Sequence, residues 1–394
     1  MDSRNGLIED FALTASMSAV VDEQWMQRAI KFARLGEGQV EPNPMVGCVL
    51  VKDGKCIAEG YHRRFGQAHA EVDALRSLPS IEDAKGATAY VTLEPCCHFG
   101  KTPPCTGAII EAGISRVVVA MRDPFPKVDG GGLRLLEQAG IQVDVGVCQG
   151  LAEELNAPYL KRLATGRPWV IAKWAMSIDG KIATSSGHSQ WISNELSRRE
   201  VHRLRGRVDA IVVGGGTFAA DDPLLTARPP GHRVATRIVF AGRRLPSLSS
   251  KLMRTIDVAP VMIVANDDSN EVELRALEHA GAELLLLTQG STAGFPERFP
   301  TREEQVDSLL TELGTRQFTN VMVEGGGELL GSFAAVDQID EIQAYVCPKL
   351  IGGKLAPGPL GGQGILSLTD ADKFRSVETA RFDDDIRITL RRCR

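Results

Sequence analysis

His69-Ala70-Glu71, then Thr92-Leu93-Glu94-Pro95-Cys96, then Pro103-Pro104-Cys105: these three short runs decide how the first half of the chain is read. One imidazole and two thiolates are three metal ligands, and a catalytic zinc takes three protein ligands with a fourth position left for water. Glu71 lies two residues from His69, a spacing that points side chains apart within a regular helix, unlike the i, i+4 histidines of an HExxH helix. The pair therefore belongs at the mouth of a helix, with His69 on the metal and Glu71 free to reach water and substrate. Zinc deaminases divide the labour this way: the metal lowers the pKa of a water, and a glutamate that is not a ligand moves the protons. Cys105 follows two prolines and precedes Thr106-Gly107-Ala108-Ile109-Ile110, a helix start, where the thiolate form is favoured. Any one of these residues alone is better explained by packing, since cysteine is among the most buried residue types. In the order His-x-Glu, Pro-Cys, Pro-Cys, they define a catalytic site. Eight residues separate Cys96 from Cys105, whereas the common deaminase signature has two between its cysteines.

Around these runs the pattern is that of a layered sheet. From Asp22, Met26, Ala29, Ile30 and Ala33 repeat at helical spacing and stop near Gly36. Val46 to Val51 and Lys55 to Gly60 read as strands joined by Asp53-Gly54, a hairpin signal. A helix over about 68–78 follows, then strands at 88–93, 116–121 and 141–145 with helices at Cys105 and 133–139 between them. Hairpin followed by alternating helix and strand predicts an α/β fold. A further helix spans 151–163, and Thr165-Gly166-Arg167-Pro168 breaks it, which places a domain boundary near 165. Residues 1–21 are expected to be a mobile tail. Beyond the boundary, strands at 169–172, 208–213, 237–240, 261–265, 283–287, 321–323 and 339–346 predict a second α/β domain, and the Gly, Pro, Ser and Thr of 289–303 predict a surface loop.

The chain has 394 residues, enough for two cores, with 43% hydrophobic and 24% charged residues. A formal net charge of −5 gives no overall attraction to nucleic acid or to an anionic membrane. No apolar run approaches the length of a membrane span, and the first 21 residues carry Asp2, Glu9 and Asp10 and do not read as a signal or transit peptide. Eight scattered cysteines fit a reducing cytoplasm better than a disulfide framework.

In the second half, Val212-Val213-Gly214-Gly215-Gly216-Thr217 and Val321-Met322-Val323-Glu324-Gly325-Gly326-Gly327-Glu328-Leu329-Leu330 each place glycines after an apolar strand. Such turns let backbone N–H groups approach a phosphate at a helix N-terminus. Neither has the spacing of the G-x-G-x-x-G fingerprint, and tight turns alone also call for glycine.

The run from Thr92 to Cys105, with Pro42-Asn43-Pro44-Met45-Val46-Gly47 and Gly60-Tyr61-His62, closely resembles the deaminase half of the bifunctional riboflavin-biosynthesis deaminase/reductase family. Lys173-x-Ala175-x-Ser177-x-Asp179-Gly180-Lys181, Ser189-x-Trp191-Ile192 and Asp221-Asp222-Pro223-Leu224-Leu225-Thr226-x-Arg228 resemble its reductase half, so that the likeness covers about 22–394. Cys97 stands where the family commonly shows Ser, and the Pro-Cys register favours Cys96 as the ligand. The resemblance implies a cytidine-deaminase-like three-layer α/β/α domain over 22–165 and a dihydrofolate-reductase-like α/β domain over 166–394. It implies zinc on His69, Cys96 and Cys105 with Glu71 as the proton shuttle, and Asn43, His62 and Lys101 as substrate contacts. In the second domain it implies NADPH on Ala175, Trp191, Thr217, Asp221 and Gly326, Gly327, Glu328, Leu329, Leu330, Gly331 and Ser332. Ser189, Arg205, Leu225, Arg228 and Glu324 face the substrate on the same ground, and two arginines suit a ribose phosphate. The implied reactions are hydrolytic deamination of 2,5-diamino-6-(5-phosphoribosylamino)pyrimidin-4-one, then NADPH-dependent reduction of the ribose of 5-amino-6-(5-phosphoribosylamino)uracil to ribityl. Small-molecule phosphoribosylaminopyrimidines are the expected partners, with neither nucleic acid nor membrane, and a homo-oligomer is expected. A nucleoside or tRNA base deaminase fused to an unrelated nucleotide-binding domain is the alternative, and it leaves the acidic balance and the whole second half unexplained.

Overall fold

Asp53 and Gly54 both take left-handed backbone (φ 51° and 70°), as the tight turn of a right-twisted hairpin requires, and the strands on either side pair antiparallel. The computed structural model describes residues 3–241, 244–265, 269–287, 301–371 and 373–393, the side chains of 3–17 and of 370 excepted. The chain divides into two compact units, Met1–Ala164 and Thr165–Arg394.

The first unit runs α1 (Ser3–Ala33), β1 (Gly47–Lys52), β2 (Lys55–Tyr61), α2 (Ala70–Arg76), β3 (Thr88–Val91), α3 (Cys105–Glu111), β4 (Arg116–Val119), α4 (Gly131–Gln138), β5 (Gln142–Val145), α5 (Gln149–Leu155) and α6 (Ala157–Thr165). Its sheet has the order β2-β1-β3-β4-β5, antiparallel across β2-β1-β3 and parallel from β3 to β5. On one face Cys48, Leu50, Ala89, Val117 and Val119 pack on Ala70, Ala74, Ile109, Leu133 and Leu136 of α2, α3 and α4. On the other, Val49, Val51, Tyr90 and Val118 pack on Met26, Ala29 and Ile30 of α1 and on Ala152 and Leu155 of α5. The result is three layers, α/β/α.

One expected helix is corrected, and α1 begins earlier than the apolar pattern marks. The backbone of 3–21, expected to be a mobile tail, continues α1; residues 7–35 contain neither glycine nor proline, so a helix packed from Met26 onward meets no breaker in its N-terminal direction. The helix expected over 151–163 is two helices, because Asn156 leaves helical register to accept from Met45 N–H (2.8 Å) and donate to Met45 carbonyl (3.0 Å), and Pro158 follows it. A strap of charge fixes α1 to the sheet: buried Asp22 accepts from Tyr90 Oη (2.6 Å) and from both Nη atoms of Arg116 (3.0 and 2.7 Å), while Arg116 Nε donates to Asp144 (2.7 Å). Burial pushes the Asp22 carboxyl up, but Arg116 and Tyr90 outweigh it and hold the group below the ordinary carboxylate range.

The second unit runs β6 (Trp169–Ser177), α7 (Glu195–Arg205), β7 (Ala210–Gly214), α8 (Gly215–Asp221), β8 (Thr236–Phe240), β9 (Val261–Ala265), α9 (Glu271–His279), β10 (Glu283–Leu286), α10 (Arg302–Thr315), β11 (Asn320–Glu324), α11 (Gly327–Ala335), β12 (Glu341–Cys347), β13 (Phe374–Phe382) and β14 (Asp385–Arg392). The sheet order is β10-β9-β8-β7-β11-β6-β12-β14-β13; it is parallel from β10 to β12, and β14 and β13 add an antiparallel hairpin. That hairpin was not among the expected strands. Leu309, Leu310 and Leu313 of α10 and Leu329, Leu330 and Phe333 of α11 cover one face of the parallel strands. The loop expected over 289–303 lies outside the described residues up to 300; Thr301 and Glu304 then form a reciprocal cap that starts α10. No helix among the described residues is long and apolar enough to cross a membrane.

At Gly47 a Cβ would stand 2.0 Å from the Ala29 carbonyl oxygen and 2.8 Å from the Ala33 nitrogen, so α1 crosses β1 at a distance only glycine permits. Gly47→Val is expected to cost at least about 1–3 kcal/mol by overpacking, read as a lower midpoint in urea unfolding. An unchanged midpoint would refute the close crossing.

Candidate active sites

His69 is the residue just before α2, with extended backbone (φ −75°, ψ 168°), and Glu71 is the second residue of that helix. Cys105 opens α3 behind Pro104, and Cys96 stands on the loop between β3 and α3. The sulfurs of Cys96 and Cys105 lie 3.5 and 3.3 Å from His69 Nδ1, and the Cys105 N–H points to the Cys96 sulfur at 3.3 Å. The three donor atoms all lie within 4.8 Å of one another. The hydrogen bond between the two sulfurs pulls the Cys96 thiol well down and pushes Cys105 up. Glu71 is 4% exposed, and its Oε2 has no hydrogen-bond partner among the described residues. Burial raises its carboxyl, and the charge of Cys96 adds to the effect. One imidazole nitrogen and two sulfurs converging beside an unsatisfied carboxylate fit a catalytic zinc ion, with Glu71 outside the ligand set. Cys97 turns away: its sulfur donates to the Lys127 carbonyl (3.6 Å).

Of the three expected substrate contacts in this unit, two meet beside His69. The His62 ring is edge-on to the His69 ring at 5.2 Å, its Nδ1 bonds the Ala68 carbonyl (3.0 Å) and its Nε2 pairs with Asn43 Nδ2 (3.3 Å). Burial pushes His62 down, toward the neutral ring that this pairing uses. Lys101 lies instead over the Phe65 ring, at 4.0 Å. Sequence reasoning gave no role to Glu94, a buried acid between Leu93 and Pro95, whose carboxylate accepts from the N–H groups of Asp123, Gly130, Gly132 and Leu133 at 3.0–3.4 Å.

In the second unit a cleft of about 1290 Å³ opens at the carboxyl ends of β6, β7 and β11, where open parallel sheets bind ligands. That volume exceeds the usual range for one drug-sized molecule. The turns after β7 and β11 both face it, with Thr217 Oγ1 only 3.0 Å from where a Gly326 Cβ would lie. Gly326 itself has φ 82° and caps α11. Ala175, Trp191, Thr217 and Asp221 line the cleft, as do Gly326 through Leu330. So do Ser189, Arg205, Leu225, Arg228 and Glu324. Gly331 and Ser332, expected among the cofactor contacts, do not; both are buried in α11, where Gly331 packs on the Gly361 backbone and Ser332 Oγ donates to the Glu328 carbonyl (2.9 Å).

Arg205, one of the two arginines expected to suit a phosphate, lines the cleft and is also ion-paired. Its Nε and Nη2 donate to the two oxygens of Glu324, each at 2.6 Å, so that edge of the guanidinium is taken, while Nη1 makes only a 3.4 Å contact to the Thr226 carbonyl. Among the described residues Arg228 keeps only looser contacts, to Thr226 Oγ1 and His202 Nε2 at 3.3 Å. Burial pushes the Glu324 carboxyl up, but Arg205 and then Lys173 hold it low. Lys173, half-buried on β6 in the same cleft, was quoted in a motif without a role. Burial pushes its ammonium down against the pull of Glu324, and its Nζ sits 5.7 Å from the Tyr345 ring. A lysine at the end of the apolar run Trp169-Val170-Ile171-Ala172 was the available signal.

A unit with a zinc-deaminase ligand set and a second unit with a glycine-walled cleft on a parallel sheet make this a two-domain enzyme, deaminase before reductase. Residues 19–121 match the cytidine and deoxycytidylate deaminase zinc-binding region, and 168–388 match the RibD C-terminal domain. The chain is 40% identical to riboflavin biosynthesis protein RibD of Escherichia coli, over 94% of this chain and 99% of that one, and 39% identical to RibD of Aquifex aeolicus at the same coverages. Among solved structures, RibD of Acinetobacter baumannii superposes with a TM-score of 0.79 at 35% identity, covering 95% of this chain and all of that one. A Thermotoga maritima diaminohydroxyphosphoribosylaminopyrimidine deaminase/5-amino-6-(5-phosphoribosylamino)uracil reductase follows at 0.76 and 35%, with the same coverages. The chain belongs to the RibD family of riboflavin biosynthesis proteins.

The two neighbouring thiols can be told apart. Cys97→Ser is expected to keep about one zinc per chain and Cys96→Ser to lose it, since a three-ligand site does not survive the loss of a sulfur donor. Metal analysis of the purified variants reads this directly, and the opposite pattern moves the ligand by one residue.

Proposed function

We propose that the first unit deaminates 2,5-diamino-6-(5-phosphoribosylamino)pyrimidin-4-one at a zinc ion on His69, Cys96 and Cys105, and that the second reduces the product's ribose with NADPH. The observation that carries the deaminase half is the buried, unpartnered Glu71 Oε2 beside the three converging donors. Zinc, when bound, supplies a water acidic enough to attack C2 at neutral pH. Glu71 would carry one proton of that water to the ring nitrogen as the oxygen adds to C2, and then the second proton of the same water, from the added hydroxyl, to the departing amine, which leaves as ammonia. Its raised pKa suits a group that must both accept and give a proton. Neutral His62, held by Ala68 and Asn43, orients Asn43 toward the same space.

In the second unit, NADPH supplies a hydride to C1′ of the ribose. The backbone N–H groups of the Gly326–Leu330 turn hold the cofactor's pyrophosphate at the start of α11, and Trp191, Thr217 and Asp221 line its path. As C1′ accepts the hydride, the bond to the ring oxygen breaks and that oxygen needs a proton. Lys173 is the donor we assign, since its ammonium is partly desolvated and stands by Glu324, whose charge is otherwise taken up by Arg205. Arg228, with no carboxylate filling its fork among the described residues, is the arm for the substrate phosphate.

Glu71→Gln is expected to keep its zinc while ammonia release falls by about 10²–10⁴-fold. Metal analysis and an ammonia assay on the same preparation check both; loss of the metal would make Glu71 a ligand and this account wrong. Gly326→Val puts a β-branched side chain at positive φ and against Thr217. NADPH affinity, by fluorescence titration, is expected to fall severely while ammonia release persists. Unchanged NADPH affinity leaves these glycines as turn formers only.

A further inference from the structure

Arg237, on β8, is fully buried at 0% exposure. A guanidinium taken out of water is costly unless its donors are satisfied and its charge is offset. Among the described residues none of its hydrogen bonds goes to a carboxylate. Nη1 donates to the Leu224 carbonyl (3.2 Å) and Thr255 Oγ1 (2.8 Å), Nη2 to the carbonyls of Thr255 (2.8 Å) and Ala259 (2.6 Å), and Nε has no partner. A methionine would fill much of that space without the desolvation cost, so packing does not account for the residue. Its carbonyl partners do: they belong to two segments, one at 224 and one at 255–259, that the guanidinium ties together.

The first of these segments is a wall of the reductase cleft. Asp222, Pro223, Leu224 and Leu225 all line it, and the run is bent by two non-glycine residues in the left-handed region, Asp222 at φ 39° and Leu225 at φ 54°. Left-handed backbone is rare for a branched side chain such as leucine and persists only where the surroundings over-determine it. Both ends of the bend are held to the 251–259 stretch that contains the second segment. Lys251 N–H donates to Asp222 Oδ1 (3.0 Å) at one end, and Arg237 holds the Leu224 carbonyl at the other, one peptide before the strained residue.

We infer that Arg237 is a positioning residue for the reductase: through the Leu224 carbonyl it fixes Leu225 in its left-handed conformation and so sets the shape of the substrate side of the cleft. This rests on the reading of Leu225 as a substrate contact. Arg237 touches neither cofactor nor substrate on that reading, and its effect belongs in substrate affinity rather than in hydride transfer.

The test uses the full-length, zinc-loaded protein carrying Arg237→Met, Arg237→Lys or Leu225→Ala. Reduction of 5-amino-6-(5-phosphoribosylamino)uracil is followed under saturating NADPH, beside NADPH fluorescence titration and thermal unfolding. Arg237→Met is expected to raise KM by about tenfold with kcat little changed and NADPH affinity retained. Arg237→Lys, which keeps a cation able to reach some of the carbonyls, is expected to recover part of the loss and carries the test if the methionine variant does not fold. Leu225→Ala is expected to raise KM as well. A lower unfolding temperature with unchanged KM in both Arg237 variants, while Leu225→Ala raises KM, overturns the inference alone. An unchanged KM in Leu225→Ala overturns the substrate-wall reading on which it stands.

Discussion

Between β3 and α3 the chain has to leave the sheet, carry Cys96 to His69 and come back with Cys105, and one carboxylate makes that path possible. Glu94 is buried, and its two oxygens gather four backbone N–H groups from the 123–133 stretch, including the start of α4. A carboxylate that accepts several N–H groups satisfies donors otherwise orphaned at a helix start and meets the favourable end of the helix dipole. The next two residues, Pro95 and Cys96, inherit their placement from it. Glu94 N–H is itself held by the Met121 carbonyl, and the Cys96 carbonyl accepts from Thr106 N–H. The sulfur is therefore fixed from both sides before any metal arrives, which is the condition for a tight three-ligand site.

The second unit uses its buried acid differently. Glu324 closes both oxygens on the Arg205 fork and still stands near Lys173. Breaking such a buried pair from one side typically costs about 3–5 kcal/mol because a lone charge is left behind. That cost holds the Nε/Nη2 edge of Arg205 on Glu324 and leaves its Nη1, which has only a 3.4 Å contact to the Thr226 carbonyl, as the part that can meet a ligand. The ammonium of Lys173 is partly desolvated beside this pair, and Arg228 lines the same cleft with longer contacts, to Thr226 and His202.

Much of this was legible in the sequence. The set of His69, Cys96 and Cys105 was readable because metal chemistry restricts the residue types: few side chains bind zinc, and a glutamate two residues from a ligand histidine suits a proton shuttle. The hairpin at Asp53-Gly54 and the core strands were readable from turn chemistry and apolar runs. The hairpin of β13 and β14 was not. Its residues are exposed or half-exposed along most of β13, which shows no apolar alternation; β14 does alternate through Ile386, Ile388 and Leu390, but the polar Asp385, Arg387 and Thr389 are the buried set, so the pattern points the wrong way. The break at Asn156 was hidden as well, because it depends on a side chain meeting Met45, a residue 111 positions earlier.

The cleft shows where reading by spacing ends. A phosphate cradle is made of backbone N–H groups, which every residue but proline possesses, so only the glycines that permit the close approach leave a mark. Those marks are ambiguous, because a glycine also serves a turn or a close contact. Gly331 illustrates this: it sits in the same run as Gly326 and was read with it, yet it is glycine because a Cβ would stand 2.4 Å from the Gly361 carbonyl oxygen. Nothing local separates the two. The partner of Gly331 lies 30 residues on, and the cleft as a whole gathers side chains from Lys173 to Leu330. The zinc site could be inferred from what its residues are, whereas the reductase site depends on what they meet, and a family resemblance reaches that information only by carrying over contacts residue by residue.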